Sequence, residues 1–358
     1  MDTSHDTTAL RAWLAAMPKA ELHLHLDGSL RPTTALELAL ERGITLPGVT
    51  DVATMRDRLT APPRCRDQAE LLRAYDMPLA LLQDVEALER VTFELVEDVA
   101  SDGTHYVEIR WAPSLHTEAG LSMRDGIDAV VRGARAGSSS TGITVRLIVV
   151  ALRTHAPEIG TETAELAVAT PRADISGFDL AGREHERPDP QDFATAFDVA
   201  REGGLGITCH AGEWGGAAQV RRALTIGPSR IAHGAPAADD DQLIADLRQA
   251  GVTLDICPTS NIQANIGDWS HDAPLPRLIA ADALVTLSTD SRTASGLTLI
   301  REMERAIGRL GISTDDVLDL VRRAHAVAFL HDDEPLRARL TERFEGWASA
   351  DPVPASAS

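Results

Sequence analysis

Short apolar, β-branched runs recur along the chain, each followed by a longer stretch whose apolar positions repeat with helical periodicity. The runs lie at 20–26 (AELHLHL), 104–112 (THYVEIRWA), 143–151 (ITVRLIVVA), 175–180 (ISGFDL), 205–210 (LGITCH), 230–233 (RIAH), 252–257 (VTLDIC) and 284–290 (LVTLSTD). Strand-like runs that alternate with helical ones are the pattern of βα units around a parallel sheet. Eight such units predict an α/β fold, a single (β/α)8 TIM barrel, with functional residues where the C-terminal ends of the strands meet the following loops. The gap from 27 to 103 is too long for one crossover helix and holds helical segments at 66–83 and 84–101. A helical insertion after the first strand is therefore expected, placed at the barrel mouth where it can act as a lid. One barrel domain over 9–350 accounts for the length, with flexible termini at 1–8 and 351–358, which are polar or rich in proline and small residues.

Composition narrows the partners. Of 358 residues, 44% are apolar and 25% charged, the balance of an ordinary globular protein. The 34 basic residues against 54 acidic ones leave a formal charge of −20, which disfavours binding to nucleic acid or to an anionic membrane surface. No apolar run approaches the ~18 residues of a membrane span. The first twenty residues lack the basic and apolar regions of a signal peptide. Cys65, Cys209 and Cys257 form no CxxC pair and no closed disulfide framework, so a reducing, cytoplasmic location is expected.

The chemistry-bearing residues cluster at the predicted strand ends. In ELHLHLDG the period of two places Leu22, Leu24 and Leu26 on one face and Glu21, His23 and His25 on the other. Two buried imidazoles at i, i+2 are costly without a partner and well spaced to grip one metal ion. An isolated HxH is more simply a pair of core histidines, but similar signals recur. The fifth run ends at His210 with Glu213 in the Gly-rich turn CHAGEWGG, the sixth ends at His233, and the eighth at Asp290. Three imidazoles and a carboxylate suit Zn2+, which lowers the pKa of a bound water to about 7.

Other signals are weaker. His5, His105, His116, His155, His185, His271, His325 and His331 have no comparable partners and are expected on the surface, in the core or in supporting roles. His116-Thr117-Glu118 fits the H-x-E half of the small zinc nucleobase deaminases, but the required P-C-x-x-C is absent. Cys209 and Cys257 are expected in the core. The single lysine, Lys19, precedes the first strand, so no lysine is available to bridge two metals in the barrel. Glu108 or Asp179 remain as conceivable bridging carboxylates, and one metal is the economical expectation.

With these residues in view the chain resembles the adenosine deaminase family from about Lys19 to Arg305, through PKAELHLHLDGSLRP, GFDLAG, CHAGE, RIAHG, CPTSN and the STD of the eighth run. The resemblance implies hydrolytic deamination of a 6-aminopurine nucleoside with one Zn2+ per chain, held by His23, His25, His210 and Asp290. It further implies that Glu213 protonates purine N1, and that His233 orients and helps deprotonate the attacking water. Asp27 would accept a hydrogen bond from the ribose 5′-hydroxyl and Gly182 would donate its N–H to N3.

One position departs from the pattern. The family has a second aspartate after the eighth strand that contacts N7, and this chain has Ser291, which still offers a hydrogen bond there. The departure opens an alternative substrate, a modified nucleoside such as aminodeoxyfutalosine, whose benzoate would need a cation from Arg64, Arg66 or Arg73. Those arginines are more simply solvated helix charge. A barrel phosphoesterase also uses HxH on its first strand but needs more metals and a basic surface. A binding protein that merely retains the fold has no need of a buried acid beside a metal.

Overall fold

A computed structural model of the chain describes residues 3–44, 46–267, 269, 273–330 and 333–350, with only the backbone of 3–7. Its strands are β1 (Lys19–His25), β2 (Thr104–Trp111), β3 (Thr144–Leu152), β4 (Ile175–Ala181), β5 (Gly206–Ala211), β6 (Arg230–His233), β7 (Thr253–Ile256) and β8 (Val285–Leu287). They lie in sequence order, each parallel to the next, with helices between them, as in a (β/α)8 TIM barrel. β8 is shorter than its apolar run suggests because the next residues bond to β1 through side chains. Ser288 Oγ accepts the N–H groups of Leu22 and His23, and Glu21 Oε1 accepts the N–H of Thr289.

Closure between β8 and β1 comes from one residue beyond the ladder. The Asp290 N–H donates to His23 O at 3.0 Å, and the His25 N–H donates to Asp290 O at 2.6 Å. The bridge between Leu24 and Asp290 is parallel, like every strand pairing in the barrel. Leu24 and Leu26 join the main apolar core outside the barrel wall, as the period of two requires.

The barrel interior is polar in its lower half. Arg110, Glu108, Asp179, Arg230 and Asp255 are all fully buried. Arg230 pairs with Glu108 and lies 3.2 Å from Asp255, while Arg110 pairs with Asp179 at 2.9 Å. Buried charges persist only when paired and hydrogen-bonded, and each of these has an opposite charge beside it. Phe329 closes the floor, its ring 3.7 Å beneath the Arg230 guanidinium, and its N–H donates to Glu108 Oε1. Gly177 and Gly206, on adjacent strands, leave the space that this ring fills.

The amino-terminal helix α1 (Thr3–Ala16) precedes β1. The expected loose segment at 1–8 is thus helical from Thr3. Trp13 and Leu14 anchor the helix in the core, and extension from an anchored turn adds one hydrogen bond per residue fixed. Residues 351–358, the other expected loose end, lie outside the described residues.

Between β1 and β2 the insertion contains α2 (Pro32–Glu41), α3 (Val52–Leu59), α4 (Gln68–Leu81) and α5 (Val85–Ser101). Aspartates cap the two helices expected from periodicity: Asp67 accepts the N–H of Glu70 at the start of α4, and Asp84 that of Ala87 at the start of α5. α5 packs beside β2, and α4 lies over the strand ends. No described helix is long and apolar enough to cross a membrane.

The floor is sensitive to one methyl group. A Cβ at Gly206 would stand 2.3 Å from the Phe329 ring. Gly206→Ala is therefore expected to cost about 1–3 kcal/mol through overpacking. The measurement is the urea midpoint at constant slope, and an unchanged midpoint would show that Phe329 does not fill the floor.

Candidate functional site

His23 and His25 leave β1 on its inner face, His210 is the penultimate residue of β5 and Asp290 follows β8, so four side chains from or just beyond three strands meet inside the barrel. His23 Nε2 and His25 Nε2 are 3.3 Å apart, His25 Nε2 and His210 Nε2 are 3.2 Å apart, and Asp290 Oδ1 is 3.3 Å from both Nε2 atoms of the β1 pair. Donor atoms ~2.0–2.1 Å from a tetrahedrally bound ion lie about 3.3–3.4 Å from one another. The spacing and donor types therefore fit a single metal ion. Burial drives the pKa of His25 down to about 3, so the imidazole lone pairs are free to coordinate.

The groups behind these donors hold their orientation. Asp179 Oδ2 lies 2.9 Å from His210 Nδ1 and also accepts from Arg110 Nη1 at 2.9 Å. This is the carboxylate–imidazole arrangement that fixes the tautomer of a metal ligand. Ser260 Oγ donates to Asp290 Oδ2 at 2.5 Å, which leaves Oδ1 toward the cluster. Asp179 and Glu108 are thus both committed to arginines, Arg110 and Arg230, rather than exposed as bridges between two metals.

His233, at the end of β6, completes a second donor group with His23 and Asp290. Its Nδ1 is 3.3 Å from the Asn261 amide, and its Nε2 is 3.9 Å from Glu213 Oε1. Burial lowers its pKa to about 4, so the ring is neutral. His233 and Asp290 both adopt left-handed backbone, at φ 67° and 65°. Such strain costs of order 1–3 kcal/mol per non-glycine residue and clusters at functional sites.

Glu213 sits in the turn after β5, where Glu184 accepts the backbone N–H groups of Glu213, Trp214 and Gly215. Burial, then the carboxylates of Asp290 and Glu184, push the Glu213 pKa well above the usual carboxylate range. A carboxyl that keeps its proton can serve as a general acid.

These groups face a cavity of about 720 Å³, counted to its open mouth. His25, His210, Asp290, Glu213 and His233 line its floor, and Asp27 and Gly182 line its sides. Asp27 Oδ1 is buried without a partner, and burial raises this carboxyl to about 6. Gly182 holds φ +95°, a conformation that suits glycine alone. His23 lies beneath, fully buried. Apolar side chains, among them Leu71, Leu72, Leu115, Val150 and Leu152, make up most of the rest.

Ser291 is placed differently from expectation. It is fully buried and does not line the cavity, and its Oγ is 2.8 Å from the hydroxyl of Tyr75 on α4. Tyr75 lines the cavity in its place. Arg64, Arg66 and Arg73 are exposed and none lines the cavity, while Arg66 pairs with Glu70. Among the remaining histidines, His116 and His325 are core residues bonded to backbone carbonyls, at Leu82 and Pro18. His271, His331 and the side chain of His5 lie outside the described residues. All three cysteines are free and buried.

A family model described as adenosine deaminase matches residues 18–346. The chain belongs to the adenosine deaminase family. The adenosine deaminase of Enterococcus faecalis is 35% identical over 318 residues, 89% of this chain and 94% of its own length. A crystal structure of adenine deaminase from Arthrobacter aurescens superposes with TM-score 0.84 at 27% identity, covering 93% of this chain and all of that one. The N6-methyl-AMP deaminase of Arabidopsis thaliana superposes with TM-score 0.81 at 27% identity, over 95% of this chain and all of its own. Membership of the adenosine deaminase family makes the chain an aminohydrolase, and the metal-type donor cluster agrees with that chemistry.

Glu184, Ser260, Asn261 and Tyr75 support the site without having been assigned a part from sequence, and Asp179, weighed from sequence only as a metal bridge, stands behind His210. Ser260 and Asn261 lie in the CPTSN block, and Asp179 in GFDLAG, so those motifs marked the segments but not the contacts. Asp179→Asn is expected to weaken metal retention about 10–100-fold by releasing the His210 ring. Metal content after dialysis against graded chelator measures it, and wild-type retention would exclude Asp179 from holding the ligand.

Proposed function

We propose that the chain hydrolyses the 6-amino group of a purine nucleoside, converting adenosine or 2′-deoxyadenosine plus water to inosine or 2′-deoxyinosine plus ammonia, with one Zn2+ per chain. The observation that carries this reading is a metal-type donor cluster beside a buried carboxyl, Glu213, 3.9 Å from His233, on the floor of one largely apolar cavity. His23, His25, His210 and Asp290 would hold the ion, since three imidazoles and a carboxylate at tetrahedral spacing suit zinc. Bound there, Zn2+ supplies an activated water as the nucleophile at neutral pH.

The chain's own groups do the rest. Glu213 donates its proton to purine N1 as C6 is attacked, so negative charge does not accumulate on the ring. His233 is neutral, is steered by Asn261 at Nδ1, and orients the attacking water with its buried Nε2. The unpartnered Asp27 oxygen accepts a sugar hydroxyl, and Gly182 offers its N–H to N3. Apolar walls take the base.

The substrate's sugar end is best read as uncharged. No arginine or lysine is among the described residues lining the cavity, and Asp27 would repel an anion there. The exposed positions of Arg64, Arg66 and Arg73 leave a benzoate such as that of aminodeoxyfutalosine without a counter-ion. The same holds for a 5′-phosphate.

Elemental analysis should give about one zinc per chain, and chelation should abolish turnover. Adenosine should lose its 6-aminopurine absorbance at a kcat/KM about 100-fold above that for AMP or aminodeoxyfutalosine, a difference of about 2.7 kcal/mol. Deamination by the metal-free chain, or better use of an anionic substrate, would overturn the reading. Glu213→Gln should retain zinc and its melting temperature while losing about 10²–10⁴ in kcat. Wild-type turnover in that variant would remove Glu213 from the proton transfer.

A further inference from the structure

Tyr75 belongs to the insertion rather than to the barrel, yet its ring faces the cavity beside the catalytic groups. Its hydroxyl is 2.8 Å from Ser291 Oγ, which follows β8. The pair is seated on Gly28, after β1: a Cβ there would stand 2.1 Å from Ser291 Oγ and 2.7 Å from the Tyr75 ring. The arrangement therefore requires glycine at 28. Ser291 is fully buried and its hydroxyl has no other hydrogen-bond partner described, so it is free to donate to Tyr75. The Tyr75 O–H is then left to donate toward the cavity. Burial, with the carboxylates of Asp290, Asp27 and Glu213 around it, pushes the phenol well above 10, so the proton stays in place.

Topology states which part of a purine this donor meets. Strands follow in order around the barrel, so β5 lies across the mouth from the β8–β1 seam. Glu213 follows β5, whereas Ser291 and Gly28 follow β8 and β1. In a 6-aminopurine, C6 lies between N1 on one side and the N7 edge on the other. With C6 over the metal cluster and N1 toward Glu213, N7 points to the seam, where Tyr75 waits. N7 is an acceptor and lacks a proton, which matches an O–H donor.

We propose that Tyr75, oriented by Ser291, is a specificity-determining residue that donates a hydrogen bond to N7 of the substrate base. This assignment rests on the purine reading of the preceding section. Because the donor comes from α4, recognition of the base and seating of the lid helix are one event.

The test compares kcat/KM for adenosine and 7-deazaadenosine, in which N7 is replaced by C–H, in zinc-loaded wild type, Tyr75→Phe and Ser291→Ala. Intrinsic reactivity differences between the two nucleosides cancel when the ratio is compared across enzymes. Tyr75→Phe should shrink the adenosine preference about tenfold, the scale of a buried hydrogen bond left unmade, and Ser291→Ala should shrink it about threefold by freeing the tyrosine. Metal content and melting temperature verify that each variant is folded. A wild-type ratio in Tyr75→Phe overturns the assignment. So does a ratio lost in Ser291→Ala but kept in Tyr75→Phe, which would place the serine itself on the base. Failure of the wild type to deaminate either nucleoside would instead overturn the purine reading, and the assignment with it.

Discussion

Two backbone hydrogen bonds that lace Asp290 between His23 and His25 underlie both the fold and the site. They close the barrel between β8 and β1, where the regular ladder has stopped at Leu287. They also set the spacing between the Asp290 carboxylate and the two β1 imidazoles. Closure and assembly of the donor cluster are therefore one structural event. The left-handed backbone of Asp290 is the local cost of that junction, and the surrounding bonds from Ser260, His23 and His25 over-determine it.

A second constraint runs along the barrel axis. Arg110 bonds Leu22 O on β1 and Asp179 on β4, and Asp179 in turn meets His210 on β5. Fully buried charges of this kind gain little net stability, since desolvation offsets much of their attraction. What the chain of contacts secures is geometry: the His210 ring turns its Nε2 toward the other donors because Nδ1 is engaged. The polar interior thus supports the site from below, as Glu184, Ser260 and Asn261 support Glu213, Asp290 and His233 from the loops.

The insertion supplies what the barrel ends lack. α4 turns Gln68, Leu71, Leu72 and Tyr75 toward the cavity, at the i, i+3, i+4, i+7 spacing of one helix face. An apolar wall excludes water from the donor cluster and strengthens every electrostatic interaction within it. No arginine or lysine of the insertion is among the described residues that line the cavity.

Much of this was legible in the sequence because the signals are local. A period of two assigns His23 and His25 to one face of a strand, and the alternation of strand and helix patterns sets the barrel and puts His210, His233 and Asp290 at its strand ends. The eight strands, the helical insertion and the strand-end positions of the candidate side chains needed no knowledge of distant contacts, whereas the roles of those side chains were implied by the family resemblance. Tertiary structure alone decided which carboxylate steadies which imidazole, that Arg64, Arg66 and Arg73 face away from the cavity, and that Ser291 lies behind Tyr75. Those relations join residues separated by tens to hundreds of positions, and no local periodicity encodes them. They exist only once the barrel has closed and fixed the rotation of every strand about its axis.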